Sequence, residues 1–241
     1  MLETVLPTTK WEQKIYHIPA YTVADASRYL HIPIPTLNSW LKGRSYTTAS
    51  GKKDFAPLIY RPSPHLSQLS FVNLVEAHVL RVIRKEHKIS LENVRVALDY
   101  VSDQLGTKHP LIRKEFRTDG VNLFLDHLGN LINASQKGQL AIKNILDNLL
   151  TRVEWDKQNI VNKLFPYIDK NIKEEPKIIT ISPVISFGKP TITGTGIPTR
   201  VIADLYRAGD SYEKIADEYD FDPSIIAKVI QFESSLKQKV A

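Results

Sequence analysis

Apolar positions in the first hundred residues recur mostly at helical spacing. Over 22–30, Val23, Ala26, Tyr29 and Leu30 share one face of a short helix. A second short helix is expected over 34–42, with Leu37, Trp40 and Leu41 turned inward. In 45–60, Tyr46, Thr47 and Thr48 precede Gly51-Lys52-Lys53-Asp54, and Phe55, Leu58, Ile59 and Tyr60 follow it. That order predicts a short β-hairpin with a basic tip. Phe71, Leu74, Val75, His78, Val79, Val82 and Ile83 predict a long helix capped by Ser70. Leu91, Val94, Leu98, Val101 and Leu105 predict another, begun by Ser90 and ended by Gly106. Residues 1–20 read as a loosely structured lead.

The pattern changes after Gly106. Phe116 and Val121 flank Asp119-Gly120, a strong hairpin signal, and Val121, Leu123 and Leu125 alternate with Asn122, Phe124 and Asp126 as in a strand. Gly129-Asn130 reads as a second turn. A helix is expected over 139–150, and Val153 and Trp155 then alternate with charges. Lys173, Glu174, Glu175 and Pro176 mark 170–176 as a linker. The last block opens with strand-like Ile178 to Ile181, and six Gly and Pro residues follow between Pro183 and Pro198. Three helices are expected next, over 198–208, 212–219 and 223–236, capped by Ser211 and Asp222. Their core set is Ile197, Val201, Ile202, Leu205, Ile215, Ile226, Val229 and Ile230. The fold class is therefore α+β and mainly helical. Its expected parts are a winged helix-turn-helix (1–106), a small αβ middle segment with linker (107–176) and a trihelical domain (177–241).

Composition narrows the function. The chain has 241 residues and no cysteine, which excludes a thiol nucleophile, a Cys-based zinc site and a disulfide framework. The first residues lack the apolar run of a signal peptide, and no stretch is apolar enough to span a membrane, so a cytoplasmic protein is expected. Net charge is +6, and the surplus lies early. Residues 1–106 carry 13 Lys and Arg against 9 Asp and Glu, whereas 177–241 carry 8 against 8. A polyanion is expected at the N-terminal part.

Two short helices about three residues apart, then a basic hairpin and a long helix, form a winged helix-turn-helix pattern. The alternative is a generic helical hairpin with a solvated face. On the first reading, the second helix enters the major groove and presents Thr36, Asn38, Ser39 and Lys42. Arg44, Lys52 and Lys53 add charge for the flanking phosphates. The stretch from Tyr21-Thr22-Val23-Ala24 to Thr36-Leu37-Asn38-Ser39-Trp40 resembles the DNA-binding domain of MerR-type regulators, whose second helix carries Ser-x-x-Thr-Leu-Arg-x-Trp. Thr36, Leu37 and Trp40 match. Pro33 stands at the family's capping Ser, and Asn38 at its Arg, which removes one phosphate contact.

Gly188-Lys189-Pro190-Thr191-Ile192, then Gly194-Thr195 and Ile197-Pro198, resembles domain-of-unknown-function family 433, as does Ala208-Gly209-Asp210-Ser211 after it. Gly196 replaces the family's Arg. The resemblance implies a small trihelical unit behind a β-segment, similar to antitoxins of the VapB type. Phosphate binding by these glycines is disfavoured, because Pro190 lacks the amide a phosphate nest uses and the Walker order is absent. No His pair stands at i, i+4, and Asp217, Glu218, Asp220 and Asp222 lack the Gly and terminal Glu of a calcium loop. No nucleophile-elbow signature occurs. No cofactor or metal is expected, and no enzyme.

The resemblances imply an antitoxin of a type II pair. It would silence a PIN-like ribonuclease toxin and repress its own operon at operator DNA. The alternative is a stand-alone regulator without a toxin. Few residues follow the last helix, so toxin contact is expected from folded surface or from the 170–176 linker. A homodimer is expected for reading paired half-sites, with the hairpin at Asp119-Gly120 as its interface.

Overall fold

The computed structural model describes residues 14–48, 51–63, 65–87, 90–132, 136–157, 159–166 and 175–237. Two short helices open it, α1 (Val23–Leu30) and α2 (Ile34–Lys42). An antiparallel ribbon follows, β1 (Arg44–Thr48) with β2 (Gly51–Phe55). Next come α3 (Phe71–His87) and α4 (Leu91–Leu105). The middle holds α5 (Val121–Ile132), α6 (Gln136–Leu150) and the ribbon β3 (Val153–Trp155) with β4 (Val161–Leu164). The last part pairs β5 (Ile179–Thr180) with β6 (Thr191–Ile192) and ends in α7 (Thr199–Arg207), α8 (Tyr212–Tyr219) and α9 (Pro223–Lys237). This is a mainly helical α+β fold. No helix among the described residues is long and apolar enough to cross a membrane.

The centre is α3. Every residue from Phe71 to Leu80 is buried, including Asn73, Glu76 and His78, because α1, α6 and the turn Pro110–Ile112 all lie against it. Ser70 caps it as expected: the Asn73 amide donates to Ser70 Oγ at 3.2 Å. Ser90 caps α4 in the same way (3.1 Å), and Gly106 ends it in the left-handed region. The described end of the N-terminal lead is not loose. Tyr16 is buried against Phe71, its carbonyl accepts from the Val72 amide, and Ala20 donates to the Leu69 carbonyl.

Buried ionisable groups in this centre give opposing acid responses. Glu76 accepts from Asn73 Nδ2 (3.0 Å) and meets His109 Nδ1 at 2.9 Å. Burial opposes charge on His109, but the Glu76 hydrogen bond and charge outweigh it, so its pKa lies above the usual value. That contribution is full below the unfolded pKa and lost as pH rises through the folded one. His78 is the reverse case. Burial first, then the charges of Arg81 and Arg152, push it down to about 3. The unfolded chain binds that proton near pH 6.5 and the folded chain does not, so stability falls as pH drops from there toward 3. His78→Leu should therefore show a shallower loss in urea unfolding, by about 1.4 kcal/mol per pH unit between pH 6 and 4. Parallel curves for the two proteins would exclude this role.

The middle segment departs from the sequence expectation. Asp119-Gly120 forms no hairpin. Phe116–Gly120 is a π-helical turn that runs straight into α5, and Gly129-Asn130 lies inside that helix. The reason is packing. Val121, Phe124, Leu125 and Leu128 are all buried at 3-4 spacing, while Leu123 is only half-buried. A strand would have put Phe124 on the polar face. Gly120 serves close packing, since a Cβ there would stand 2.9 Å from Phe116 Cδ2. A Cβ on Gly129 would overlap Gln139 of α6. A dimer interface built on that hairpin has no structural basis. Of the linker 170–176, residues 170–174 lie outside the described residues. β4 bridges to the last unit directly, with Leu164 and Ile181 exchanging both amide bonds at 3.0 and 2.8 Å.

The C-terminal helices start and end within a residue or so of their expected bounds. Ser211 caps α8 by accepting from the Lys214 amide (3.2 Å), and Asp222 accepts from the Ser224 amide (2.8 Å). Ile202, Ile215, Ile226 and Val229 are fully buried, together with Phe232, which lies outside the expected core set. Val201 is 41% exposed rather than core. Ile226→Ala should cost about 2–4 kcal/mol through lost burial and the cavity left behind. A loss under ~0.5 kcal/mol in urea would show that this site collapses without penalty.

Candidate nucleic-acid interface

The helix-turn-helix is fixed by local hydrogen bonds. Thr22 and Asp25 form a reciprocal capping box on α1, with the Asp25 amide 3.0 Å from Thr22 Oγ1 and the Thr22 amide 3.3 Å from Asp25 Oδ2. His31 ends α1 in the left-handed region (φ 52), and the Ile32 amide returns to the Ser27 carbonyl at 3.0 Å. Pro33 and Pro35 then open α2, where the first turn needs no amide donors. Leu37, Trp40 and Leu41 are buried and anchor α2 on the core. After the ribbon the chain returns to α2. The amides of Leu58 and Ile59 both donate to the Trp40 carbonyl, at 2.8 and 3.1 Å. That ties the wing to the C-terminal end of α2.

Thr36, Ser39 and Lys42 follow one another at steps of three, and Asn38 stands four before Lys42, so α2 groups these positions on one side. Thr36, Asn38 and Ser39 are half-buried and Lys42 is exposed. Ser39 differs from its neighbours, because its Oγ donates to the Thr36 carbonyl at 2.7 Å. That bond uses its hydrogen and leaves it only as an acceptor.

The wing differs from expectation. Its five pairs run from Arg44↔Phe55 to Thr48↔Gly51, so the connection is two residues at 49–50, outside the described residues. Gly51 (φ 117) starts β2 instead of sitting at a tip. Lys52 pairs with Thr47 and Lys53 with Tyr46. Both therefore lie along the second strand, at positions belonging to opposite faces. Arg44 begins β1 immediately after Gly43 closes α2.

A second feature joins the two ends of the chain. Phe232 of α9 meets the His31 ring edge-on at 6.3 Å, and Ser235 Oγ lies 3.4 Å from His31 Nε2. Nearby, Gly188 (φ 77) lies against Tyr21, where a Cβ would overlap the hydroxyl. Burial, and then the neighbouring Tyr29, push the Tyr21 hydroxyl pKa up. Beside this contact is a cleft of about 390 Å³ between α1 and the start of α7. Phe187 stands at its edge, 94% exposed. The glycine and proline pattern around Gly188 points to tight turns alone. Nothing in that pattern marks Phe187, because its outward display follows from the positive φ of Ser186, Phe187 and Gly188, and neither Ser186 nor Phe187 is a residue type that signals such a backbone.

Two family models match this chain. Residues 19–98 match the family described as "Putative DNA-binding HTH domain", and residues 179–232 match DUF433, a protein family of unknown function. A curated relative from Mycobacterium tuberculosis (strain ATCC 25618 / H37Rv), named "Putative antitoxin VapB45", is 27% identical over 227 residues. That alignment covers 86% of this chain and 91% of the relative. The crystal structure of Rv2018 from Mycobacterium tuberculosis has the same fold, with a TM-score of 0.64 at 22% identity. The match covers 89% of this chain and 99% of that one. The chain thus joins a helix-turn-helix domain over residues 19–98 to a DUF433 domain over residues 179–232.

Proposed function

We propose that this protein is the antitoxin of a type II toxin-antitoxin pair. It binds and neutralises a PIN-like ribonuclease toxin, and it represses its own operon by binding operator DNA in the cytoplasm. The observation that carries this reading is the joining of a helix-turn-helix to a DUF433 domain, in a chain that aligns along 91% of a relative named "Putative antitoxin VapB45". The DNA surface we assign is α2, with Thr36, Asn38 and Lys42, together with Arg44, Lys52 and Lys53 of the wing. The working division is 1–106 for DNA, 107–176 as connector and 177–241 as the antitoxin-type unit. A homodimer is proposed because two copies of α2 related by two-fold symmetry fit an inverted repeat.

The test is co-expression with the product of the adjoining reading frame. The expected result is rescue of growth from that product and co-purification of the two proteins. A mobility shift on the shared promoter, giving a complex with two copies of this chain, is expected alongside. Growth arrest that this chain does not relieve would remove the antitoxin reading.

A further inference from the structure

Phe187 is held outward by its backbone. Ser186 (φ 45), Phe187 (φ 57) and Gly188 (φ 77) are three consecutive left-handed residues, a conformation residues with side chains avoid. The turn is nevertheless fixed. Ser186 Oγ donates to the Gly196 carbonyl at 2.6 Å, and the amides of Gly188 and Lys189 return to Ile185 (2.9 Å) and Ser186 (3.1 Å). Gly188 is wedged against Tyr21 on the other side. An unfavourable backbone that displays the most exposed large apolar side chain among the described residues is a feature of binding surfaces.

The cleft beside it offers more apolar surface. Tyr29 and the exposed Val201 line it with Phe187. Its charges are largely answered from within. Arg28 meets Asp25 at 3.5 Å, Arg200 meets Asp204 at 3.5 Å, and Glu233 accepts from the Thr199 hydroxyl at 2.5 Å. Lys189, exposed at the rim, has no ion-pair partner among the described residues. Three carboxylates balance the three cations of the lining, so it has no positive surplus to hold a phosphate backbone, and an exposed Phe beside an exposed Val suits a protein. Lys189 favours a partner that brings a carboxylate.

We propose that the Phe187 turn and this cleft are where the toxin docks. This rests on the antitoxin reading above. The toxin places an apolar side chain in the cleft against Phe187 and Val201 and sets an acidic group against Lys189. Because α1 forms one wall, the docked toxin touches both the helix-turn-helix and the DUF433 domain.

The test uses the full chain and the product of the adjoining reading frame, with Kd measured by calorimetry and operator affinity by mobility shift. Phe187→Asp should weaken toxin binding by about 30-fold or more, as loss of a central aromatic anchor does. Phe187→Tyr should stay within about threefold, and Lys189→Glu should weaken binding about fivefold or more, as like charges set against each other do at an interface. Operator affinity of Phe187→Asp should match the wild type. Its thermal melt should be unchanged, given its exposure. If it does not fold, Phe187→Gly, which suits the backbone, takes its place with the same expected loss. Wild-type binding that survives these changes overturns the docking site and leaves the antitoxin reading intact. A wild type that does not bind the product overturns both. Loss of operator affinity with toxin affinity unchanged would assign the cleft to DNA.

Discussion

Alanine at Gly188 should destabilise this protein by about 2–4 kcal/mol, from a left-handed backbone at ~1–2 kcal/mol and a steric overlap of similar size. The backbone there has φ 77, and a Cβ would overlap the Tyr21 hydroxyl and stand 3.0 Å from its Cζ. Tyr21 has little room to step aside, because its side chain is buried at 4% exposure and its amide and carbonyl both pair with Leu69, at 2.9 and 2.7 Å. The strain must appear in the Ser186–Gly188 turn or in the contact between the DUF433 domain and α1. The Tyr21 hydroxyl is buried with no hydrogen-bonding partner among the described residues. Tyr21→Phe alone should therefore change stability little, or raise it. In the Gly188→Ala background it removes the nearest clashing atom and should restore part of the loss. Urea unfolding of the four proteins should give a coupling of about 1 kcal/mol between the two sites. Strict additivity would mean that the overlap is relieved elsewhere, and a Gly188→Ala loss under ~0.5 kcal/mol would mean that the contact does not hold the domains together.

That contact is not legible in the sequence, and the reason separates what the sequence tells well from what it does not. Where one local rule decides, the sequence pattern agrees with the structure. Ser70, Ser90 and Ser211 cap the helices that follow them, and Leu37 and Trp40 anchor α2, because each depends on neighbours within a few positions. The three C-terminal helices are equally plain, since Gly and Pro bound them. Where two periods fit one stretch, the local rule fails. Val121, Leu123 and Leu125 alternate like a strand, while Val121, Phe124, Leu125 and Leu128 repeat like a helix. Burial of Phe124 and Leu128 decides for the helix. The wing shows a smaller error of the same kind: Gly51 signals a turn, yet five strand pairs place the connection just before it. The cleft depends on how α1 meets the last domain. It brings Tyr29 beside Phe187 and Val201, residues more than 150 positions apart, which no window along the chain contains.

For the DNA surface, Asn38→Ala should cost about 1–3 kcal/mol at the operator and little on random DNA. Asn38 lies on α2 beside Lys42 and its side chain forms no hydrogen bond with another described residue, so the side-chain amide can meet a base edge with two bonds. Thr36→Ala should act in the same direction. Ser39→Ala should cost less, because the Ser39 hydrogen is already given to the Thr36 carbonyl. The cations should behave differently. Lys42→Ala, Lys52→Ala and Lys53→Ala should weaken binding to all sequences alike. Removing one cation from a phosphate should reduce the slope of log K against log salt by about 0.9. Lys52 and Lys53 hold adjacent register positions on β2, on opposite faces of the ribbon, so one of the pair should dominate the slope change. Titrations of these variants in the full chain, on promoter and random DNA at two salt concentrations, separate the two classes. If every α2 and wing variant binds the promoter like wild type while changes in α7 to α9 abolish binding, the DUF433 domain reads the DNA. The helix-turn-helix would then be the surface left for the toxin, and its contact with the cleft would belong to that partner.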